Sequence, residues 1–444
     1  MMDSEFHIPK DSPATLVSVI APHFESHSSE IESQRSMNEL QELLRTLNIP
    51  VSTTHIQPRK SIDPASIVGS GKLKEIAEIA EANNSKLLVF DFELSASQVR
   101  NIKELTGLSV VDRVHVILEI FAEHARTREA KIQIEIARLQ YMLPRLSGFW
   151  SHLGRQRGGV GVRGGEGEQQ IELDRRMIRE RIEFFKKELK DISKSREQQK
   201  KKRRNQAVTA ALVGYTNAGK SSVLNRLCKE QILEEDKLFA TLDSTHRMLN
   251  PDTKPPMILI DTVGFISNLP NTLIEGFKTT LESAIEADLL IIVCDISDPH
   301  YKKQLEVTHN VLKELGVDDK DQIIVFNKKD QVTDPFLTKM VKRQYPNSFV
   351  VSTLDKEDMK NLRTWIINFF LEKQNHYDLF IPYDHGEAIA MVASKANIIT
   401  QHTHETGIFY RLRCPANIFE PTGLAKYALS AEEVEKLNPA HMED

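Results

Sequence analysis

The chain has 444 residues, which is more than one hydrophobic core usually organises, so its length predicts about three domains. Its net charge is −5, its hydrophobic content is 40%, and its three cysteines lie far apart, which excludes a disulfide framework and a zinc ribbon. The N-terminus lacks a signal pattern, and the longest strongly apolar run is far shorter than the ~20 residues of a spanning helix. We therefore expect a soluble, cytoplasmic protein with at most peripheral membrane association.

Residues 1–111 alternate between short apolar runs and helical patterns. This alternation predicts a small parallel α/β domain. Within it, Gly69-Ser-Gly-Lys72 resembles part of a phosphate loop, but Leu73 stands where a magnesium-binding hydroxyl would follow the lysine. We interpret it as a glycine-rich turn entering a helix. The predicted strands are 16–20, 87–92 and 108–111, and the predicted helices are 31–47, 73–82 and 97–105.

Residues 112–204 carry two matching apolar stripes at helical spacing. Asp112 is a suitable N-cap for a long first helix, and Pro144 should kink or end it. Two such stripes joined by one loop predict an antiparallel, coiled-coil-like helical hairpin. The stripes are Ile132, Ile136, Leu139, Leu143 and Leu146, then Ile171, Ile178, Ile182, Phe185, Leu189 and Ile192.

The loop predicted between these helices, residues 154–167, has the sequence GRQRGGVGVRGGEG and holds seven of the nineteen glycines. It also carries Arg155, Arg157 and Arg163. Residues 145–204 contain 18 Lys and Arg against 9 Asp and Glu, a basic surplus within an acidic protein. Such a surplus favours a local anionic partner, although an ordinary charged helical surface would give the same count. The loop is therefore a candidate phosphate loop, linker or contact surface for a charged molecule.

Residues 206–373 return to alternating strands and helices, and residues 374–444 predict a small C-terminal α/β domain. The strand at 210–213 is followed by GYTNAGKS, a full match to the phosphate-loop pattern in the required context. Backbone N–H groups of such a loop surround phosphate oxygens, its lysine reaches the outer phosphates, and its serine binds Mg²⁺. The predicted nucleotide contacts are Gly214, Tyr215, Thr216, Asn217, Ala218, Gly219, Lys220 and Ser221.

Three further motifs follow at the ends of predicted strands. DTVG after 257–260 can hold magnesium through water and meet a γ-phosphate through its glycine N–H. NKKD after 322–326 offers a carboxylate that accepts from N1–H and N2–H₂ of guanine, a donor pair that adenine lacks. STL after 349–351 can contact guanine O6 through its backbone. The four loops together predict a P-loop GTPase, with Asp261, Thr262, Val263, Gly264, Asn327, Lys328, Asp330, Ser352, Thr353 and Leu354 as further nucleotide contacts.

The switch threonine must lie between Ser221 and Asp261. Thr241 in FATLD is the main candidate for a second hydroxyl on Mg²⁺, with Thr245 as the alternative. Lys220, Thr241 and Gly264 are the predicted catalytic residues, and Ser221 and Thr241 the predicted magnesium ligands. The switch contacts predicted for the nucleotide are Phe239, Ala240, Thr241, Leu242 and Asp243.

One expected side chain is missing from the switch. Small signalling GTPases place a water-orienting glutamine after the DxxG glycine, whereas this chain has Phe265. Phenylalanine cannot hydrogen-bond water, so we expect slow turnover unless backbone, an ion or a partner positions the water. Asn217 can coordinate a monovalent cation, which makes K⁺ a candidate second cofactor beside Mg²⁺.

At this point the sequence resembles the HflX family of ribosome-associated GTPases over nearly its whole length. The resemblance rests on GYTNAGKS, FATLD, DTVGF and NKKD, and on GGVGVRGGEGEQQIELDRR at 158–176. Family members typically read GG-[IV]-G-T-R-G-P-G-E-T-Q-L-E-x-D-R-R there, so Val162 and Gly165 are departures. Others are Ser244-Thr-His246, where relatives mostly show P-T-T, and Ser352-Thr353 in place of S-A. None removes a phosphate or magnesium ligand.

The resemblance implies GTP hydrolysis and binding to the large ribosomal subunit, in ribosome rescue or splitting, protein synthesis or ribosome biogenesis. The loop at 154–167 lacks a Lys-Ser pair, and a complete phosphate loop exists elsewhere, so it is not a nucleotide loop. Thin, glycine-rich and basic, it suits contact with ribosomal RNA through Arg155, Arg157 and Arg163, with a plain linker as the alternative. We expect GTP, GDP and the large subunit as partners, no DNA, and a monomer. The alternative function is a nucleotide-gated RNA-binding switch in which hydrolysis is incidental.

Overall fold

The structure is a computed structural model that describes residues 8–21, 27–146, 165–204, 207–228, 239, 245–250, 253–266 and 284–437. Side chains are described for these residues except 165–170, 194–204, 250 and 435–437. The chain forms two compact units. The first holds the described residues up to Ile192 together with Phe239 and Ile266, and the second holds the other described residues from Ser193 onward.

The first unit contains a four-stranded sheet in the order β2-β1-β3-β4, with every neighbouring pair parallel. The central strands β1 and β3 are almost entirely buried because helices follow the strands in alternation. The parallel α/β fold predicted for this region is therefore confirmed, and Gly69 lies at the turn that enters α2. The elements are β1 Ala14–Ile20, α1 Glu30–Thr46, β2 Val51–Pro58, α2 Ser70–Ala82, β3 Leu87–Phe90, α3 Ala96–Thr106 and β4 Ser109–Asp112.

The edge strand β2 is the element that the sequence pattern did not predict. Its sequence VSTTHIQP is largely polar, and most of its residues are only half-buried. An edge strand need not bury either face fully, so neither an apolar run nor strict alternation marked it. Its β-branched residues were the one local signal.

A buried ion cluster joins the end of β3 to the helix that follows β4. Arg113 Nη1 lies 2.8 Å from Asp91 Oδ1, and His27 Nε2 lies 2.8 Å from Asp91 Oδ2. Arg113 also pairs with Glu39 of α1. Burial would raise the pKa of Asp91, but the charge of Arg113 and the hydrogen bond with His27 outweigh it and lower that pKa. The cluster ties three elements together at the carboxyl edge of the sheet.

The long helix predicted from Asp112 is wrong, because two shorter helices occupy this stretch. Asp112 does cap the first, α4 Arg113–His124, by accepting from the His115 N–H. Thr127 then caps a new helix, α5 Arg128–Met142, by accepting from the Ala130 N–H. A second capping side chain satisfies the backbone of a new first turn, so the chain restarts its helix there. The first nine residues of α4 are all buried, so α4 is a core helix of the first unit.

The hairpin itself consists of α5 and α6 Gly165–Arg204. The pairs Arg128–Glu188 and Glu135–Arg181 show that the two helices are antiparallel. Their shared core confirms the predicted stripes except for Ile171, which is not among its members. A 3₁₀ turn at Leu143–Arg145 ends the first arm at Pro144 as expected. The buried members of the shared core are Ile132, Ile136, Leu139, Leu146, Ile178 and Ile182.

The predicted loop 154–167 is too long at its C-terminal end, since residues 165–167 belong to α6. Good helix formers dominate the sequence after Gly167, and they outweigh the cost of its glycines near the helix start. The rest of the loop, with Arg155, Arg157 and Arg163, lies outside the described residues.

The second unit contains a six-stranded sheet in the order β10-β9-β8-β5-β7-β6, parallel except for the β7–β6 pair. Its elements are β5 Val208–Gly214, α7 Lys220–Leu227, β6 Thr245–Asn250, β7 Met257–Asp261, β8 Leu289–Asp295, α8 Tyr301–Glu314, β9 Gln322–Asn327, α9 Pro335–Gln344, β10 Ser348–Val350 and α10 Lys356–Glu372.

A three-stranded antiparallel sheet in the order β11-β13-β12 follows, which confirms the small C-terminal α/β region. Its buried residues join one hydrophobic core with those of the six-stranded sheet. The exact domain boundaries 1–111, 112–204, 206–373 and 374–444 stay a prediction. The elements are β11 Asn375–Pro382, α11 Gly386–Lys395, β12 Asn397–Thr403, β13 Gly407–Cys414, α12 Ala416–Phe419 and α13 Ala431–Leu437.

Candidate nucleotide-binding site

The phosphate-loop motif lies between a buried strand and a helix, as its sequence predicts. β5 ends at Gly214, and α7 begins at Lys220. Gly219 has a φ of 87°, and a Cβ there would lie 2.2 Å from Asn327 Nδ2. Asn327 in turn donates to the Ala218 carbonyl at 3.0 Å. Glycine is therefore required at 219 both by the backbone conformation and by the close approach of the NKKD motif.

Lys220 is buried at the base of this loop. Its Nζ donates to the carbonyl oxygens of Tyr215 at 2.9 Å and Gly214 at 3.2 Å. Burial lowers the pKa of Lys220 to about 8, and the charge of Asp261 opposes that shift. Among the described residues, the ammonium group of Lys220 bonds only to carbonyl oxygens, so its positive charge suits the negative charge of a nucleotide phosphate.

Ser221 and Asp261 place two oxygen atoms side by side that could act as metal ligands. Ser221 Oγ donates to Asp261 Oδ2 at 2.6 Å, and Asp261 is 2% exposed. A serine hydroxyl beside a carboxylate is a donor set that fits Mg²⁺ bound to phosphates. Thr245, the alternative switch threonine, lies opposite Asp261 in the β6–β7 ladder, whereas Thr241 lies outside the described residues.

The DTVG segment runs directly against the phosphate loop. A Cβ on Gly264 would lie 2.8 Å from Lys220 Nζ and equally close to Thr216, so only glycine fits this approach. Thr262 has a different use, because its Oγ1 donates to the Leu212 carbonyl of β5 at 2.7 Å. The side chain of Thr262 therefore fastens two strands, and any nucleotide contact by this residue falls to its backbone.

Phe265 has a structural role that the sequence did not reveal. Its N–H donates to the Gly214 carbonyl at 3.0 Å, and its own carbonyl accepts from the Thr216 N–H at 2.7 Å. Its side chain is buried, with 2% of the residue exposed. The residue at the glutamine position thus pairs by its backbone with the phosphate loop, and its ring packs away from solvent.

The predicted guanine-reading loops lie together at the end of β9. Asp330 is exposed, and its Oδ1 accepts from Ser352 Oγ at 2.5 Å. Lys328 lies 2.7 Å from Asp295 Oδ2 through its Nζ. Ser352 therefore orients the carboxylate of Asp330, and Asp295 orients Lys328. Sequence reasoning missed Asp295, whose only signal is its place at the end of β8.

The remaining predicted nucleotide contacts differ in where they lie and in how far they are buried. Phe239 belongs to the first unit, where its buried ring packs edge-to-face on Phe121 with 4.6 Å between centroids. The side chain of Leu354 points to solvent, with 71% of the residue exposed. Tyr215, Ala218 and Val263 are buried, Thr353 is half-buried, and Asn217 is exposed with a φ of 58°. Ala240, Leu242 and Asp243 lie outside the described residues.

Comparisons with known proteins agree with this geometry. Family models match three successive segments: GTP-binding GTPase N-terminal at 34–122, GTP-binding GTPase Middle Region at 124–203, and 50S ribosome-binding GTPase at 209–328. A GTPase HflX from Alkalihalophilus pseudofirmus is 40% identical over 376 residues, covering 84% of this chain and 88% of the relative. Another from Gluconacetobacter diazotrophicus is 38% identical over 442 residues, covering 91% and 96%.

One similar solved structure is a GTP-binding protein from the archaeon Sulfolobus solfataricus in complex with GDP. It is 25% identical, its TM-score is 0.43, and the match covers 80% of this chain and 99% of that chain.

The sheet, the phosphate loop and the DTVG and NKKD motifs define a P-loop GTPase, an enzyme that binds and hydrolyses GTP. The relatives add the family. The chain belongs to the HflX family of GTPases. Among its described helices, none has both the length and the hydropathy needed to cross a bilayer.

We predict that Asp330→Asn reverses the base preference. Asparagine offers a donor where guanine needs two acceptors, and the 2-oxo group of xanthine can accept from it. Loss of hydrogen bonds to a charged group should weaken GTP binding by about 2–3 kcal/mol while binding of xanthosine triphosphate improves. Titration of both nucleotides into wild type and variant measures the change.

Asp334→Asn is the matched control, because asparagine caps α9 about as well as aspartate and the site is separate from the NKKD motif. This control should keep the wild-type preference. If Asp330→Asn also keeps it, Asp330 does not read the base.

Proposed function

We propose that this GTPase uses its nucleotide state to bind and release the large ribosomal subunit, in ribosome rescue or splitting, protein synthesis or ribosome biogenesis. The observation that carries the proposal is the coexistence of a full set of GTPase motifs with a strongly basic hairpin. The match of residues 209–328 to a family described as 50S ribosome-binding GTPase supports the choice of subunit. The protein acts in the cytoplasm as a monomer, with GTP, GDP and ribosomal RNA as its ligands and no role for DNA.

The nucleotide is held by residues of the second unit. The N–H groups of residues 214–221 surround the phosphates, and Lys220 shifts from two carbonyl oxygens to the more basic phosphate oxygens. Ser221 and Thr241 would hold Mg²⁺, with Asp261 contributing through water. When bound, magnesium would neutralise the charge that develops on the phosphates.

Hydrolysis depends on groups other than the side chain of Phe265. That ring is buried and cannot orient water, so a backbone group, a cation or the ribosome must do so. The Gly264 N–H donates to the γ-phosphate, and Gly264 changes position when that phosphate leaves. Asn217 is exposed in the phosphate loop and can hold K⁺ where an arginine finger would otherwise supply charge.

The hairpin supplies the ribosome contact. A shared apolar core holds its antiparallel arms α5 and α6 together, and the glycine-rich, basic sequence lies between them in the chain. Arg155, Arg157 and Arg163 lie in that segment and contact ribosomal RNA through phosphates. The thin, glycine-rich backbone permits close approach to an RNA-lined cavity.

A second candidate is a nucleotide-gated RNA-binding switch in which hydrolysis is incidental. The buried ring of Phe265 favours it, since the residue at the glutamine position cannot assist water. The two functions differ in one measurable property. If ribosomes do not raise the rate of GTP hydrolysis, the switch is the better description.

We predict that basal GTP hydrolysis is slow and is faster in potassium than in sodium salts. The physical reason is the cation that Asn217 can coordinate beside the phosphates. Initial rates at matched ionic strength measure the difference. Equal rates would remove Asn217 and K⁺ from the mechanism and leave activation by a partner.

We predict that neutralising Arg155, Arg157 and Arg163 together weakens binding to the large subunit. Because each arginine releases counterions from one phosphate, the salt dependence of binding should fall by about three contacts at most. GTPase activity without ribosomes should hardly change, and stimulation by ribosomes should fall. Subunit affinity at two salt concentrations measures the first effect.

A charge-matched control is Lys339→Gln, Lys342→Gln and Arg343→Gln, three exposed positions on α9 of the second unit. It changes net charge by the same amount and should leave the salt slope close to that of wild type. If the hairpin variant also binds like wild type, residues 154–164 merely connect α5 to α6.

A further inference from the structure

Two residues that the sequence analysis did not assign to the site, Lys329 and Asp358, form an ion pair beside the guanine-reading loop. Lys329 is the variable residue of NKKD, and Asp358 lies in the first turn of α10. Lys329 Nζ lies 2.5 Å from Asp358 Oδ2. The same Asp358 oxygen accepts from the Ser352 N–H at 2.9 Å. One carboxylate oxygen thus joins the NKKD turn to the loop that follows β10.

Both loops reach Asp330 through these contacts. Ser352 Oγ donates to Asp330 Oδ1 at 2.5 Å, so the N–H of Ser352 is fixed by Asp358 while its hydroxyl fixes Asp330. Lys329 directly precedes Asp330, and its own N–H donates to the Val351 carbonyl at 3.1 Å. Asp358 therefore holds both Ser352, which donates to the Asp330 carboxylate, and Lys329, the residue directly before Asp330 in the chain.

The residues of this contact are buried or partly buried, which strengthens the hydrogen bonds between them. Ser352 is 2% exposed, and the side chains of Asp358 and Lys329 are 19% and 35% exposed. The hydrogen bond to Asp358 is the largest cause that raises the pKa of Lys329, so this lysine keeps its positive charge at neutral pH. Asp355, the cap of α10, lies 3.6 Å from Lys329 Nζ and adds to the same acidic environment.

We propose that Asp358 is a positioning residue for guanine selection, acting with Lys329 to hold Ser352 and Asp330 in the geometry that accepts the two donors of the base. It touches no nucleotide atom itself. The inference rests on Asp330 as the base-reading residue. Asp358 would be a specificity determinant outside the four nucleotide-binding motifs. The substrate class is the guanine nucleotide as distinct from purine nucleotides that lack the 2-amino group.

Inosine triphosphate is the probe that tests this role, because inosine keeps N1–H and lacks the 2-amino group. In Asp358→Leu the Asp330 carboxylate loses its alignment, so GTP affinity should fall about tenfold. Inosine triphosphate has one hydrogen bond fewer to lose, so its affinity should fall less and the preference for GTP should shrink. The kcat at saturating GTP should stay within about twofold, since Asp358 contacts no phosphate-loop residue named above.

Two milder variants keep the test valid if Asp358→Leu does not fold. Asp358→Asn retains an oxygen for the Ser352 N–H and should lose less selectivity than the leucine variant. Lys329→Met removes the other partner and should reproduce part of the loss. The two changes act through one contact, so a double variant should lose less than the combined single losses. Glu357→Gln, an exposed neighbour on α10, is the matched control and should bind like wild type.

The outcomes separate this inference from the assignment on which it rests. A merely structural role predicts that Asp358→Leu lowers the affinities for GTP and inosine triphosphate by the same factor, which would overturn the inference. If Asp330→Asn changes base preference and none of the Asp358 variants does, the inference alone fails. If Asp330→Asn leaves base preference unchanged, both fall together.

Discussion

A phosphate-loop site binds a magnesium–nucleotide complex when backbone donors, an ammonium group and oxygen ligands for the metal meet in one fixed arrangement. In this protein the carboxyl ends of β5, β7, β8 and β9 provide that place, because parallel strands end at the same edge of their sheet. The phosphate loop is held there from two sides. Asn327 bonds to Ala218 from the NKKD motif, and Phe265 pairs with Gly214 and Thr216 from the DTVG segment.

This arrangement links base recognition, phosphate binding and the switch. Asn327, the last residue of β9, lies against Gly219 and bonds to Ala218, so the base-reading loop and the phosphate loop are in direct contact. The backbone pairing of Phe265 joins the DTVG segment to the phosphate loop. A partner that changes the position of this segment would therefore change the site as a whole, as the proposed stimulation by the ribosome requires.

Much of the fold was predictable because its signals are local. Full motif matches at strand ends located the nucleotide site, and the spacing of apolar residues located both arms of the hairpin. Features that depend on tertiary pairing were missed: the polar edge strand β2, the backbone role of Phe265 and the contacts of Asp358. Each is decided by a partner distant in sequence, so no periodicity or motif indicates it. Thr262 illustrates the same limit, since its place in a motif predicted a ligand and its hydroxyl fastens two strands. The helix restart at Thr127 was missed for a different reason, because a local cap interrupts a stretch whose apolar spacing predicts one continuous helix.

The central claim is that nucleotide state controls attachment to the large ribosomal subunit. The most direct measurement is cosedimentation of the full chain with purified large subunits, comparing a non-hydrolysable GTP analogue with GDP at one salt concentration. We predict that the protein sediments with the subunit in the presence of the analogue and is largely released with GDP. Equal sedimentation with both nucleotides, or none with either, would contradict the claim.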